Sequence, residues 1–180
     1  MEGSDEQLML AYRGGDAAAF EAVYRKHRGG LFRFVARSVR ERRLAEERFQ
    51  EVWRRWIEAR ERYVPQATFS TWLYAIAHNR LIDHFRSSGL RSVEMMAEEL
   101  PDPPAPAAGQ PERKAEAREQ GARLIAVLEA MPAAQREAFL LHEEAGLSVP
   151  EIAEVTGTDV EAAKSRLRYA VAKLREALKD

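Results

Sequence analysis

Apolar residues recur at three- and four-residue intervals along most of the chain, and the alternation expected of half-buried strands is absent. Ala, Leu, Glu and Arg dominate, and all favour helix. The pattern predicts an all-α protein. Asp16 is placed to cap a helix through Phe20, Val23 and Tyr24. Gly29 and Gly30 are expected to break or bend it before Leu31, Phe32 and Val35 resume the stripe. From Leu44 a second stripe runs through Phe49, Val52, Trp53, Trp56, Ile57 and Tyr63, and Pro65 ends it. A third helix, starting near Ser70, buries Phe69, Trp72, Leu73, Ile76, Leu81 and Phe85. Its other face shows Asn79, Arg80, Asp83 and Arg86.

Pro101, Pro103, Pro104, Pro106 and Pro111 interrupt this periodicity. Residues 90–112 therefore read as a linker between two small helical domains, 1–89 and 113–180. Each domain can bury only a modest core. In the second, Leu124, Val127 and Leu128 open the apolar pattern. Pro132 suits the first turn of a helix that stops before Gly146. Ser148-Val149-Pro150-Glu151 is a capping box with Pro in the first turn. Thr156-Gly157-Thr158 makes a turn, and Asp159 caps a last helix carrying Val160, Ala163, Leu167, Val171, Leu174 and Leu178.

That short helix, glycine turn and longer basic helix form a helix-turn-helix pattern. Ala153 is small enough to let the helices cross closely, with Ile152, Val160, Ala163 and Leu167 expected to seal the corner. The outward face of the last helix shows Glu161, Ala162, Lys164, Ser165, Arg168 and Tyr169, which suits a major groove. Arg166, Lys173 and Arg175 are better placed for phosphates.

Charge supports the same direction. The 180-residue chain has a formal net charge of −1. Residues 25–91 nevertheless hold roughly 16 Arg or Lys against about 7 Asp or Glu. Residues 164–175 are basic without an acid, and the segment between the two basic regions is acidic. Two basic regions joined by an acidic one suggest two contacts with a polyanion. There is no cysteine, so disulfides and thiolate metal sites are excluded, which fits a cytoplasmic protein. No membrane insertion is expected, because no apolar run approaches a span and residues 1–6 lack a signal-peptide pattern.

Residues 69–86 read Phe-Ser-Thr-Trp-Leu-Tyr-Ala-Ile-Ala-His-Asn-Arg-Leu-Ile-Asp-His-Phe-Arg. This run resembles the DNA-reading helix of extracytoplasmic-function sigma factors, the group-four branch of the sigma-70 family. The upstream Glu46-Glu47-Arg48-Phe49-Gln50-Glu51-Val52-Trp53 is similar to that family's acidic helix, with Arg48 where an apolar residue is usual. Ala163-Lys164-Ser165-Arg166-Leu167-Arg168 fits its second domain.

The resemblance implies an alternative sigma factor answering a stress or envelope signal. It implies binding to core RNA polymerase, to the largest-subunit clamp through Glu47, Gln50 and Glu51, and to the flap through the second domain. The minus-ten element would be read and opened by Tyr63, Gln66, Thr68, Asn79, Arg80, Asp83 and Arg86, with loop 63–68 holding a flipped base. The minus-35 element would be read by Lys164, Ser165, Arg166, Arg168 and Tyr169. The partners are thus core polymerase, double- and single-stranded promoter DNA, and an anti-sigma protein. No cofactor, metal or catalytic residue is implied.

Two other classes stay open on the residues alone. A simple helix-turn-helix regulator would explain the second half but not the run at 69–86. An enzyme would need a metal or nucleophile, yet His78 and His84 are six apart and do not share a helix face, and His142 has no partner four residues on. A structural helical adaptor would make no DNA contact at all.

Overall fold

The computed structural model describes residues 3–88 and 111–179. The expected linker lies almost wholly outside the described residues. Within them the chain forms α1 (Asp5–Arg13), α2 (Ala17–Val39), α3 (Arg42–Ala59), a 3₁₀ turn (Arg60–Arg62) and α4 (Phe69–Ser87). Then follow α5 (Pro111–Ala130), α6 (Ala133–Ala145), α7 (Val149–Thr156) and α8 (Val160–Ala177). No strand occurs among the described residues, as the periodicity predicts.

In the first half, α2, α3 and α4 pack around an aromatic core sealed by α1. Trp56 is fully buried and donates its indole N–H to Met9 Sδ at 3.1 Å. Phe20 stacks on it with ring centroids 4.9 Å apart, and Trp53 meets it edge-on at the same distance. Burying an aromatic removes about 150–250 Å² from water, so a few such rings supply most of a small domain's apolar stabilisation. The apolar stripe does not continue perfectly: Ile57 is exposed.

Helix α1 was not among the expected elements. Ser4 and Gln7 form a reciprocal capping box at its start, and Leu8, Met9 and Tyr12 bury its inner face. Helix α2 also departs from expectation. It runs without a break through Gly29 and Gly30. A helical glycine costs roughly 1 kcal/mol relative to alanine, which tertiary packing overrides here. A Cβ on Gly30 would lie 2.6 Å from the Glu144 carbonyl oxygen, so the glycine admits a close approach by the end of α6. Arg40 ends α2 in the left-handed conformation, φ 62°.

In the second half α8 packs across α5, α6 and α7. The core is aliphatic: Leu128, Leu141, Leu147, Ile152, Ala163 and Leu174 are all buried. Pro132 stands at the N-cap of α6 rather than inside its first turn. Both halves pack together, α2 against α6 and α4 against α7.

Candidate nucleic-acid and polymerase interfaces

The helix-turn-helix forms as the motif predicts. Ser148 accepts from the Glu151 N–H, Glu151 reaches back to the Ser148 N–H at 2.8 Å, and Gly157 turns the chain at φ 64°. That φ suits glycine, which has no Cβ to clash. Asp159 accepts from the Ala162 N–H at 2.7 Å to start α8. Ile152 and Ala163 are fully buried and Ala153 nearly so, sealing the corner. Val160 does not join them: it is 45% exposed, because it stands at the first position of α8 and faces out of the corner. Leu167 is half-buried.

Glu161, Lys164, Arg168 and Tyr169 are exposed and Ser165 is half-buried. Their spacing of three, four, seven and eight from Glu161 puts all five on one face. The Arg168 guanidinium lies 5.5 Å from the Tyr169 ring centroid, within cation–π range, so the two present a joint surface. Arg166 is half-buried and, two residues from Lys164, falls on another side of the helix. Lys173 donates to Gln135 Oε1 at 3.2 Å and so serves packing against α6.

The face on α4 is assembled differently. Asn79, Asp83 and Arg86 are exposed and share one side of the helix. Arg80 is only partly exposed. It pairs with Asp83 at 2.7 Å and reaches to 4.0 Å from Glu51 on α3, tying the two helices. At the start of α4, Thr68 accepts from the Thr71 N–H at 3.3 Å.

Loop 63–68 is fastened at both ends by α1. Arg13 donates to the Tyr63 carbonyl at 2.9 Å, and Glu6 accepts from the Phe69 N–H at 2.8 Å. That backbone donor holds the Glu6 carboxyl below its ordinary range. The capping box is the sequence signal for α1; nothing in the sequence marks Glu6 or Arg13 as loop anchors. Val64, Pro65, Gln66 and Thr68 are exposed. Tyr63 is not: it is 1% exposed, with its ring 5.0 Å from that of Trp72. Burial pushes its hydroxyl up to about 12. Any base contact by this ring would require it to leave the core, so the surface of the loop consists of its neighbours.

On α3, Glu47 and Gln50 are exposed, whereas Glu51 is largely covered. With Glu46, Arg48 and Arg54 they line a shallow open depression. Arg48 donates to Glu51 at 2.5 Å and Arg43 to Glu47 at 3.3 Å. Arg48 thus turns Glu51 toward an internal pair and leaves Glu47 and Gln50 as the outward groups. Among the described residues no group of three or more His, Asp or Glu could hold a metal ion. No helix among them is long and apolar enough to cross a membrane.

Comparison with known proteins matches residues 23–91 to the sigma-70 region 2 family and residues 121–174 to sigma-70 region 4. The RNA polymerase sigma factor CarQ of Myxococcus xanthus is 32% identical over 170 residues, covering 94% of this chain and 95% of that one. The extracytoplasmic-function sigma factor SigE of Mycolicibacterium smegmatis is 30% identical, covering 99% of this chain and 70% of its own length. Two solved structures share the fold. CnrH in complex with the cytosolic domain of CnrY aligns with TM-score 0.70 at 23% identity, over 98% of this chain and 97% of that one. RpoE of Bartonella quintana in complex with the anti-sigma factor NepR aligns with TM-score 0.71 at 21% identity, over 89% and 96%.

Proposed function

The chain belongs to the extracytoplasmic-function branch of the sigma-70 family of RNA polymerase sigma factors, and from that premise we propose how its surfaces divide the work of initiation. It is an alternative sigma factor that binds core RNA polymerase and directs promoter recognition and transcription initiation. We assign the minus-35 element to the α8 face of Lys164, Ser165, Arg168 and Tyr169, with Arg166 on flanking phosphate. The carrying observation is that these side chains share an open face on a capped recognition helix, whose N-terminal half can enter a major groove.

The minus-ten element falls to α4 and the loop before it. Asn79, Asp83 and Arg86 face the strand, while Gln66 and Thr68 meet a flipped base. Arg80 contributes by bracing α4 on α3, and Tyr63 by filling the core beneath the loop. Glu47 and Gln50 meet the polymerase clamp, with Glu51 held behind them by Arg48. The domain division is 1–89 and 113–180, joined by 90–112. Residues of α5 from Pro111 extend the second domain slightly toward that linker.

In this reading the chain performs no covalent chemistry and needs no cofactor. Unstacking a base costs a few kcal/mol, which capture in a protein pocket offsets. Tethering both modules on polymerase supplies affinity that neither face has alone. It acts in the cytoplasm with polymerase. Since the similar RpoE is captured with an anti-sigma factor, we extend an anti-sigma partner to this chain.

Permanganate footprinting of unpaired thymines tests the division. Asn79→Ala is expected to reduce reactivity in the minus-ten region while polymerase still occupies the promoter. Normal reactivity would remove α4 from opening.

A further inference from the structure

Helix α1 lies ahead of residues 23–91, the part of the chain that matches sigma-70 region 2. Yet it meets the segment before α4 at three points. Where the 3₁₀ turn leads into the loop, Arg60 donates to the Tyr12 hydroxyl at 3.3 Å. Arg13 holds the Tyr63 carbonyl at 2.9 Å, and Glu6 takes the Phe69 N–H at 2.8 Å. That N–H belongs to the first turn of α4, where a helix offers donors no partner of its own. A carboxylate there also suits the helix dipole. Glu6 and Arg13 are seven residues apart, so they stand on one side of α1, about 10 Å apart along its axis. The helix thus spans the loop from its first residue to its last.

Behind these contacts α1 is itself fixed. Asp5 accepts from Lys26 at 2.8 Å and lies 2.8 Å from His27 Nε2 on α2. The His27 ring in turn lies 5.1 Å from that of Phe69. Met9 takes the Trp56 indole N–H in the core. The loop is stiff as well. Tyr63 and Phe69 are buried at its two ends. Between them the Gln66 N–H donates to the Val64 carbonyl at 2.8 Å across Pro65, whose ring locks its own φ. Val64, Pro65 and Gln66 are exposed. A stiff tip moves as a body, so its aim is set by whatever holds its ends.

We infer that α1 aims the base-receiving loop, and that Glu6 and Arg13 are positioning residues that set base preference within the minus-ten element. The inference rests on the assignment of loop 63–68 to a flipped base. A receptor held in one shape discriminates between ligands, because a poor fit cannot be relieved by moving the receptor. With an end released, the loop re-shapes around any base, and preference falls while capture persists. Arg13 and Glu6 act through the loop backbone, so the effect is confined to the position that the loop reads.

The test uses holoenzyme assembled from the full chain and purified core polymerase. The template is a promoter obtained from genomic fragments, with its minus-ten element randomised one position at a time. Transcripts are counted for each base. The parent should prefer one base at the position that the loop reads. Arg13→Ala and Glu6→Ala should each lower that preference about five- to tenfold, the scale of a lost charged hydrogen bond at a part-exposed site. Preference at other positions and affinity for core polymerase should stay at the parent's values. Arg13→Lys, which keeps a donor, and Glu6→Gln, which keeps an acceptor, should recover most of it. Val39→Ala, a cavity in the same domain away from α1, should lower the melting temperature and leave preference intact. Parent-like preference in both alanine variants overturns the inference. So does an equal loss in Val39→Ala, which would make the effect one of stability. A uniform weakening on every template by Arg13→Ala, the mark of a phosphate contact, overturns it too. Gln66→Ala and Thr68→Ala separate this failure from that of the loop assignment: if neither alters preference, the loop does not read the base and the inference falls with it.

Discussion

In the second half every residue assigned to DNA stands on one helix, α8, whereas in the first half the assigned residues are split between α4 and loop 63–68. The cores differ in parallel. The buried corner between α7 and α8 holds Ile152 and Ala153 of the one and Ala163 of the other, and the two alanines let short helices cross closely. Beneath the loop lie Trp56, Tyr63, Phe69 and Trp72, large rings in mutual contact. A helix face needs only caps and a packed underside to be presented. A loop must be held by its ends and supported from below, so core and reading surface share residues. Tyr63 is the case in point: it begins the loop, yet it is buried.

The contrast breaks first in stability. Trp56→Ala removes the ring on which Phe20 stacks and Trp53 abuts, and should destabilise the first half by about 3–5 kcal/mol. Denaturant unfolding followed by near-ultraviolet dichroism measures it; a loss below about 1 kcal/mol would deny the aromatic core its role. Next is Ile152→Ala at the helix-turn-helix corner, expected to cost about 2–5 kcal/mol and to weaken minus-35 use through the misplaced α8. Surface changes on α8 should behave oppositely. Lys164→Ala and Arg168→Ala should each cost about 1–3 kcal/mol in promoter discrimination. The melting curve should stay within about 0.5 kcal/mol of the parent.

The smallest expected effect concerns the loop anchors. Glu6 carries a depressed pKa in the folded chain because it accepts from the Phe69 N–H. Its stabilisation is present above the ordinary glutamate value near 4.5 and is lost as pH falls through the lower folded value. Glu6→Gln should flatten that part of the stability–pH curve. An unchanged acid slope would mean that the carboxylate does not anchor the start of α4.

Local signals account for what was readable in advance. Asp159, Gly157 and the polar spacing after Lys164 lie within a dozen residues of one another, so the α8 face follows from short-range rules. The run at 69–86 likewise declares α4 and its exposed Asn79. Contacts far apart in sequence were not legible. Nothing near Gly30 announces Glu144, more than a hundred residues away, and so the glycine pair reads as a helix break instead of a site of close approach. Arg13 and Tyr63 are fifty apart, and their hydrogen bond has no local signature. Arg80 reads as a free polar-face cation, because its pairing with Glu51 depends on how α3 meets α4.

The most direct test is in-vitro transcription with purified core polymerase on genomic fragments, comparing the parent chain with the Lys164→Ala, Arg168→Ala double variant. The parent should produce transcripts that start below shared minus-ten and minus-35 motifs. The double variant should still bind core polymerase but lose those starts. Protein-independent starts, or sequence-specific footprints by the chain without polymerase, would contradict the division of labour drawn here.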